Sequence, residues 1–115
     1  MRANYLAYTK EILLELNFMI RIVKMTFDPN KVDVFLGNFN SVKEKIRAFE
    51  GVKHLELLND KENANIYFTY SIWQSEDHLE KYRHSDLFKS VWAKTKPLFI
   101  EKAQAWSLDS LIKLG

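Results

Sequence analysis

The strongest constraint on the fold is an amphipathic pattern that runs from Asp28 to Gly51. Asp28-Pro29 is a typical helix start, with Asp as the N-cap and Pro at the first helical position. Gly51 is a typical residue just beyond a helix end. The spacings of three and four between apolar residues predict one helix with a single buried face. The apolar positions are Val32, Phe35, Phe39, Val42, Ile46 and Phe49.

The segments around this helix predict four strands and two more helices. A polar turn at residues 59–64 favours an antiparallel hairpin, and Ser75 and Ser85 precede the later helices as candidate N-caps. The order β-α-β-β-α(α)-β predicts an α+β fold of the ferredoxin-like type with a four-stranded antiparallel sheet. The predicted strands are residues 19–27, 52–58, 65–73 and 103–114, and the predicted later helices are residues 75–83 and 85–98.

Both faces of the predicted sheet carry large side chains. In the second strand Leu55 and Leu57 alternate with His54 and Glu56. The third strand likewise alternates Phe68 and Tyr70 with Tyr67 and, further along, Trp73. Helices on one face leave the other uncovered, so the pattern predicts a homodimer that places sheet against sheet, a dimeric α+β barrel. The last strand could then cross to the partner subunit and protect a sheet edge.

Composition limits the class of protein. The chain has 115 residues, 47% of them apolar, which suits one folded domain. There is no Cys, so disulfides and thiolate sites are excluded. The net charge is +2 with interspersed signs, and no apolar run approaches the ~18 residues of a membrane span. We therefore expect a cytoplasmic protein that uses neither nucleic acid nor a membrane as its partner.

The first residues do not fit the domain pattern, because the first core strand starts at Met19. We expect residues 1–18 to be an N-terminal extension and residues 19–115 to be the domain. Either the start codon was assigned too early, or the extension is an accessory helix that packs on the domain or on a partner subunit.

No cofactor motif is present. The chain has three Gly residues and neither G-x-G-x-x-G nor a phosphate-binding loop. His54, His78 and His84 lie on different predicted elements, so no metal-ligand spacing emerges. We expect no tightly bound cofactor and no metal.

The end of the third strand is the best candidate for a ligand pocket. Trp73 shares a strand face with Ser71, Thr69 and Tyr67. A few polar groups leading to a Trp are typical of a pocket wall, although Trp73 could instead only plug the strand–helix junction. The remaining candidates are core residues or further substrate-binding residues, and they are Tyr82, Trp92 and Phe39.

Two histidines are candidate general bases. His54 lies beside Glu56 on one strand face, and an imidazole next to a carboxylate suits proton transfer near neutral pH. The alternative is a structural or dimer-contact His. His84 lies between the two late helices, next to Ser85, and is either catalytic or a plain junction residue.

Residues 19–110 resemble a domain of the antibiotic biosynthesis monooxygenase family. The resemblance lies in a strand that begins at Met19, in Phe49-Glu50-Gly51, Glu56-Leu57-Leu58 and Trp73-x-Ser75-Glu76-x-x-Leu79, and in the final strand. It implies a dimeric α+β domain with a small-molecule pocket. Members of this family oxidise phenols or quinols with O2 and no cofactor, degrade haem, or handle small signalling molecules.

Departures from the family pattern narrow what the resemblance implies. Trp92 and Val23 stand where haem-degrading members carry a proximal His and an Asn, so haem degradation is not expected. Thr69 and Tyr82 stand where oxidising members carry an Asn and a His. The resemblance thus implies the fold and the pocket Trp, but not the polar catalytic set.

Three functions remain open at this stage. The first is a cofactor-independent monooxygenase that oxidises a small phenol, quinol or enolisable aromatic with O2, using His54 or His84 as the base and Trp73, Tyr67 and Trp92 to hold the ring. The second is a non-catalytic binding or stress-response dimer for a small aromatic metabolite. The third is an oligomerisation module with a filled pocket.

Overall fold

The computed structural model describes residues 18–115. Apart from Phe18, the predicted N-terminal extension lies outside these residues. Seven regular elements follow one another, with short 3₁₀ turns at Pro29–Lys31 and Lys96–Leu98. They are β1 (Met19–Thr26), α1 (Val32–Arg47), β2 (Val52–Asn59), β3 (Ile66–Trp73), α2 (Glu76–Arg83), α3 (Asp86–Thr95) and β4 (Gln104–Asp109).

The four strands form one antiparallel sheet in the order β2-β3-β1-β4. The two halves of the chain interleave, because β1 lies between β3 and β4 rather than beside β2. This order and the chain sequence of elements confirm the predicted α+β, ferredoxin-like pattern.

Polar caps fix where the helices begin. The Asp28 carboxylate accepts a hydrogen bond from the Asn30 backbone N–H at 2.9 Å, but it opens the 3₁₀ turn, so α1 starts only at Val32. The Ser75 and Ser85 hydroxyls accept hydrogen bonds from backbone N–H groups three residues later, at 3.2 Å and 3.1 Å. Both predicted serine caps are therefore present.

The last strand is shorter than the sequence predicts. β4 ends at Asp109, which pairs with Met19, the first residue of β1. Beyond this pair β1 offers no further strand residue, so the alternation that continues to Ile112 and Leu114 has no ladder to join. These two side chains are 85% and 93% exposed.

Gly51 ends α1 and turns the chain into β2. Its φ of 91° lies in the left-handed region, where Gly has no steric penalty. A Cβ at this position would lie 2.5 Å from the ring and Cβ carbons of His78. The glycine therefore permits both the turn and the close approach of α2.

The strand register assigns each side chain to one of two faces. Residues opposite one another in an antiparallel pair share a face. The face toward the helices carries Met19, Arg21, Val23 and Met25 from β1, opposite Trp73, Ser71, Thr69 and Tyr67 from β3. The other face, called here the open face, carries Ile20, Ile22, Leu58, Phe68, Tyr70, Ile72, Trp106 and Leu108.

The buried core under the helices has two parts. One cluster surrounds Trp73 and Tyr82, and the other surrounds Phe27 and Phe35. Phe39 packs against both clusters from the middle of α1.

Candidate functional site

A cavity of about 360 Å³ lies between the helix-facing side of the sheet and the three helices. It is lined by members of both core clusters, such as Met25 and Phe35 from one and Ile46 and Trp73 from the other. Small side chains explain the empty space, because Ala103 and Ala105 are the lining residues at the β4 side. Exposed lining residues on α1 and α3, including Ser41 and Lys94, open the cavity to solvent.

A chain of aromatic rings forms one wall of the cavity. The ring centroids of Trp73 and Tyr82 are 5.2 Å apart, and those of Tyr82 and Phe88 are 5.3 Å apart. Phe88 and Trp92 continue the chain as a nearly parallel pair, 5.9 Å apart with an interplanar angle of 11°. Such a surface suits a flat aromatic ligand, which stacks on some rings and meets the edges of others.

Trp73 is a rigid part of this wall. It is 2% exposed, and its indole N–H donates to the Ser71 hydroxyl at 2.9 Å. The Ser71 hydroxyl lies 3.4 Å from the backbone carbonyl of Arg21, to which it donates. The indole can therefore offer a ligand its apolar surface, while its polar group is already satisfied.

Tyr82 supplies a hydroxyl that stays protonated. Burial raises its pKa from 10.0 to about 12. Tyr82 lines the cavity, and its hydroxyl has no hydrogen-bond partner among residues 18–115. A ligand oxygen in the cavity could accept a hydrogen bond from it.

The raised pKa of Tyr82 leads to a testable pH dependence. Between pH 10 and about pH 12 the unfolded chain loses the phenolic proton while the folded chain keeps it, so stability should fall by up to about 1.4 kcal/mol per pH unit. Urea unfolding at pH 8, 10 and 11 should show that the free energy of unfolding falls less with rising pH in Tyr82→Phe than in the unmodified chain. Parallel losses in the two proteins would contradict this assignment.

The structure brings five of the predicted site residues together. The cavity lining includes Trp73 and Thr69 from β3, Tyr82 from α2, Trp92 from α3 and Phe39 from α1. Thr69 and Ser71 place hydroxyl groups on the sheet side, opposite the helices. The cavity thus lies at the end of the third strand, where the sequence analysis placed the candidate pocket.

Tyr67 lies elsewhere. It shares the face of Trp73, but it is not among the lining residues. Its ring packs 6.0 Å from Phe27 and 5.6 Å from Phe35, between centroids, and it is 8% exposed. Tyr67 therefore belongs to the second core cluster and does not line the cavity in this structure.

The two candidate bases also lie outside the cavity lining. A β-bulge between Val52 and His54 shifts the register, so Val52 lines the cavity while His54 points to the open face. There His54 Nε2 lies 2.8 Å from Glu56 Oε1, as the sequence predicts for a shared face. His84 is exposed at the end of α2, with Nδ1 2.8 Å from the Glu80 carbonyl oxygen. Neither imidazole is within hydrogen-bonding reach of a ligand in this cavity.

Arg21 is a site residue that the sequence analysis missed, as is Phe88 of the aromatic wall. The Arg21 side chain lines the cavity from the middle of β1, and its Nη1 donates to the Ser107 hydroxyl at 2.9 Å. The alternation of β1 could have revealed this position, because Val23 and Met25 face the helices and Arg21 must therefore face them too. A charged side chain on the buried face of a central strand is unusual enough to mark a site.

Among residues 18–115 no group of three or more His, Asp or Glu side chains is close enough together to hold a metal ion. The cavity lining that residues 18–115 provide contains no His, Asp or Glu side chain. Separately, none of the helices in this part of the chain combines the length and apolarity required to span a bilayer.

Comparison with known proteins places the chain in a family. The profile of the family described as "Antibiotic biosynthesis monooxygenase" matches residues 18–94, more than half of the chain. No curated protein matches significantly.

Among solved structures, a conserved protein from Methanosarcina mazei Go1 superposes with a TM-score of 0.81 at 19% identity, covering 85% of this chain and 97% of that one. A protein from Caulobacter crescentus CB15, named after the same family, gives 0.78 at 20% identity, with coverages of 89% and 97%. Another so named, from Nitrosomonas europaea, gives 0.79 at 11% identity, with coverages of 86% and 95%. These likenesses show the shared fold, and the profile match shows that the chain belongs to the antibiotic biosynthesis monooxygenase family.

Proposed function

We propose that the protein is a cofactor-independent monooxygenase that oxidises a small phenolic, quinol or enolisable aromatic compound with O2. The observation that carries the proposal is the cavity of about 360 Å³ walled by the rings of Trp73, Tyr82, Phe88 and Trp92. Its volume falls in the range of roughly 300–1,000 Å³ that is usual for small-molecule sites. Family membership supports the reaction class.

The proposed reaction needs an electron-rich anion. An enolisable ring system loses a proton from its hydroxyl or activated C–H group, and the anion transfers one electron to O2. The resulting radical and superoxide combine into a peroxide at a ring carbon. The peroxide then loses water. One oxygen atom of O2 stays on the ring as a new carbonyl, and the other departs in the water molecule with two hydrogen atoms from the substrate. The apolar walls raise the reactivity of the anion by excluding water.

In the part of the chain that the structure describes, the cavity lining holds no imidazole or carboxylate, so in this scheme the proton passes to the solvent at the cavity mouth. The sequence-based assignment of His54 or His84 as the base remains a prediction. It requires water-mediated transfer over a longer path. Unchanged turnover after replacement of both histidines by Ala would rule it out.

Oxygen consumption tests the proposed function. Purified protein is given quinols, anthrones, naphthols and hydroxynaphthoates without added flavin or metal, and O2 uptake is followed with an electrode. We expect uptake above the uncatalysed rate for at least one of these compounds, with a quinone as product. No uptake with any of them, despite measurable binding, would overturn the oxygenase proposal.

The second candidate function is a non-catalytic binding protein for a small aromatic metabolite. This candidate is favoured because, among residues 18–115, the cavity lining has no His, Asp or Glu side chain to act as a general base at neutral pH. It predicts ligand binding without O2 consumption. The third candidate, an oligomerisation module, predicts no ligand binding in the cavity.

We also propose that the protein works as a homodimer in which the open faces of two subunits pack together. The described helices all pack on the opposite side of the sheet, where they line the cavity. Trp106 and Leu108 on the open face are 42% and 45% exposed, and Leu58 is 40% exposed. Several large apolar side chains exposed on one face are typical of a protein–protein interface, and a two-fold axis lets one such face cover its own copy.

Trp106→Glu tests the dimer. The new charges would be buried without partners, so sedimentation velocity at micromolar concentration should show a monomer, whereas Trp106→Phe should remain dimeric. A monomeric unmodified protein, or a dimer that persists in Trp106→Glu, would contradict the proposal.

A further inference from the structure

Arg21 places a positive charge in a cavity whose wall is otherwise largely apolar and aromatic. Its strand neighbours on the same face are Met19, Val23 and Met25, two of which also line the cavity. The side chain is partly buried, so its charge is only partly hydrated. A partly desolvated charge destabilises the fold unless a counter-charge or hydrogen-bond acceptors compensate it.

Within residues 18–115 no carboxylate forms a close ion pair with Arg21. The Ser107 hydroxyl is a neutral partner of one guanidinium nitrogen, and no carboxylate lies within 4.0 Å of the group. The nearby Arg83, also in the lining, adds a second positive charge, although Glu80 pairs with it at 2.8 Å. Burial first, and the charge of Arg83 second, lower the pKa of Arg21, while Glu80 acts in the opposite sense.

We propose that the cavity selects an aromatic carboxylate, whose carboxylate group binds the Arg21 guanidinium while its ring lies against the Trp73–Trp92 wall. This inference rests on the ligand site of the proposed function and names the ligand class that the site prefers. A guanidinium has five N–H donors in a planar fork that matches a carboxylate. One Nη1 hydrogen bond goes to Ser107, so donors remain for a ligand.

The pair of Arg21 and a ligand carboxylate gives specificity in two ways: the carboxylate gains charge-assisted hydrogen bonds, and a neutral ligand lacks them. A neutral ligand of the same shape would fill the aromatic part of the cavity but would leave the partly desolvated guanidinium without an anion. Charge-assisted hydrogen bonds are roughly twice as strong as neutral ones, and a change of about 1.4 kcal/mol corresponds to a tenfold change in affinity. We therefore expect a preference of at least roughly tenfold for the carboxylate.

The experiment compares 2-naphthoate with its neutral isostere 2-naphthamide by isothermal titration calorimetry on the full chain at low salt. The unmodified protein should bind naphthoate at least tenfold more tightly, and 0.5 M NaCl should reduce this ratio. In Arg21→Gln the affinities for naphthoate and naphthamide should differ by less than twofold, and the affinity for naphthamide should be unchanged. Lys89→Gln, which removes one charge from an exposed position of α3, is the matched control and should keep the full preference.

A preference that survives in Arg21→Gln, or that is absent in the unmodified protein, overturns the inference. Failure to bind either ligand overturns it as well. If Arg21→Gln unfolds, Arg21→Lys serves instead, because it keeps the charge but loses the fork and should retain only part of the preference. The outcome is independent of oxygen chemistry: selective naphthoate binding, together with no O2 uptake from any quinol, anthrone, naphthol or hydroxynaphthoate, would sink the oxygenase proposal and leave the carboxylate preference standing.

Discussion

Replacing Trp73 with Ala should lower the free energy of unfolding by about 3–5 kcal/mol and abolish ligand binding in the cavity. Trp73 is 2% exposed and packs against Tyr82 with ring centroids 5.2 Å apart, so its removal leaves a hole in the buried cluster. It also leaves the Ser71 hydroxyl without its indole donor. Urea unfolding and calorimetric titration of one aromatic ligand measure the two effects.

Because so large a loss of stability could by itself prevent binding, milder variants separate the two roles. Trp73→Phe keeps a ring in the wall, and Phe27→Leu thins the other core cluster at a position that is 0% exposed and outside the cavity lining. Both should cost about 1–3 kcal/mol and remain folded. Only Trp73→Phe should weaken ligand binding. Equal affinities in these two variants would mean that the ligand does not contact Trp73.

The fold follows from the sequence because its signals are local and periodic. The apolar spacing of α1 and the serine caps of α2 and α3 each specify an element without reference to the rest of the chain. The end of β4 is different, since it depends on where β1 runs out at Met19. Alternation in the sequence carries no information about the length of the neighbouring strand, which is why β4 was predicted to continue to Leu114.

A site residue could be predicted only where alternation within its own strand shows which face of the sheet its side chain lies on. Thr69 and Trp73 lie on one face of β3 by simple alternation, and the cavity formed there. In β2 the bulge after Val52 breaks the alternation, so Val52 lines the cavity whereas His54, two residues later, lies on the open face. Arg21 could have been placed on the cavity side from the alternation of β1 alone, because it shares a face with Val23 and Met25.

The small side chains of β4 determine whether the cavity is open, so filling one of them should separate stability from function. Ala105 lines the cavity and pairs with Val23 across the strands. In Ala105→Ile the added ethyl and methyl groups would occupy the space beside Val23. Ile favours strand conformation, and filling a cavity commonly stabilises a domain by about 0.5–2 kcal/mol. We expect equal or higher stability together with at least a tenfold loss of ligand affinity.

The matched control makes the same substitution outside the cavity. Ala93 is exposed on α3 and does not line the cavity, so Ala93→Ile should leave affinity unchanged and cost a few tenths of a kcal/mol in helix propensity. Melting temperature and calorimetric affinity are measured for both variants. An Ala105→Ile protein that binds as well as the unmodified chain would show that the ligand lies elsewhere. A marked loss of stability would show that the position is already filled, as the oligomerisation-module hypothesis requires.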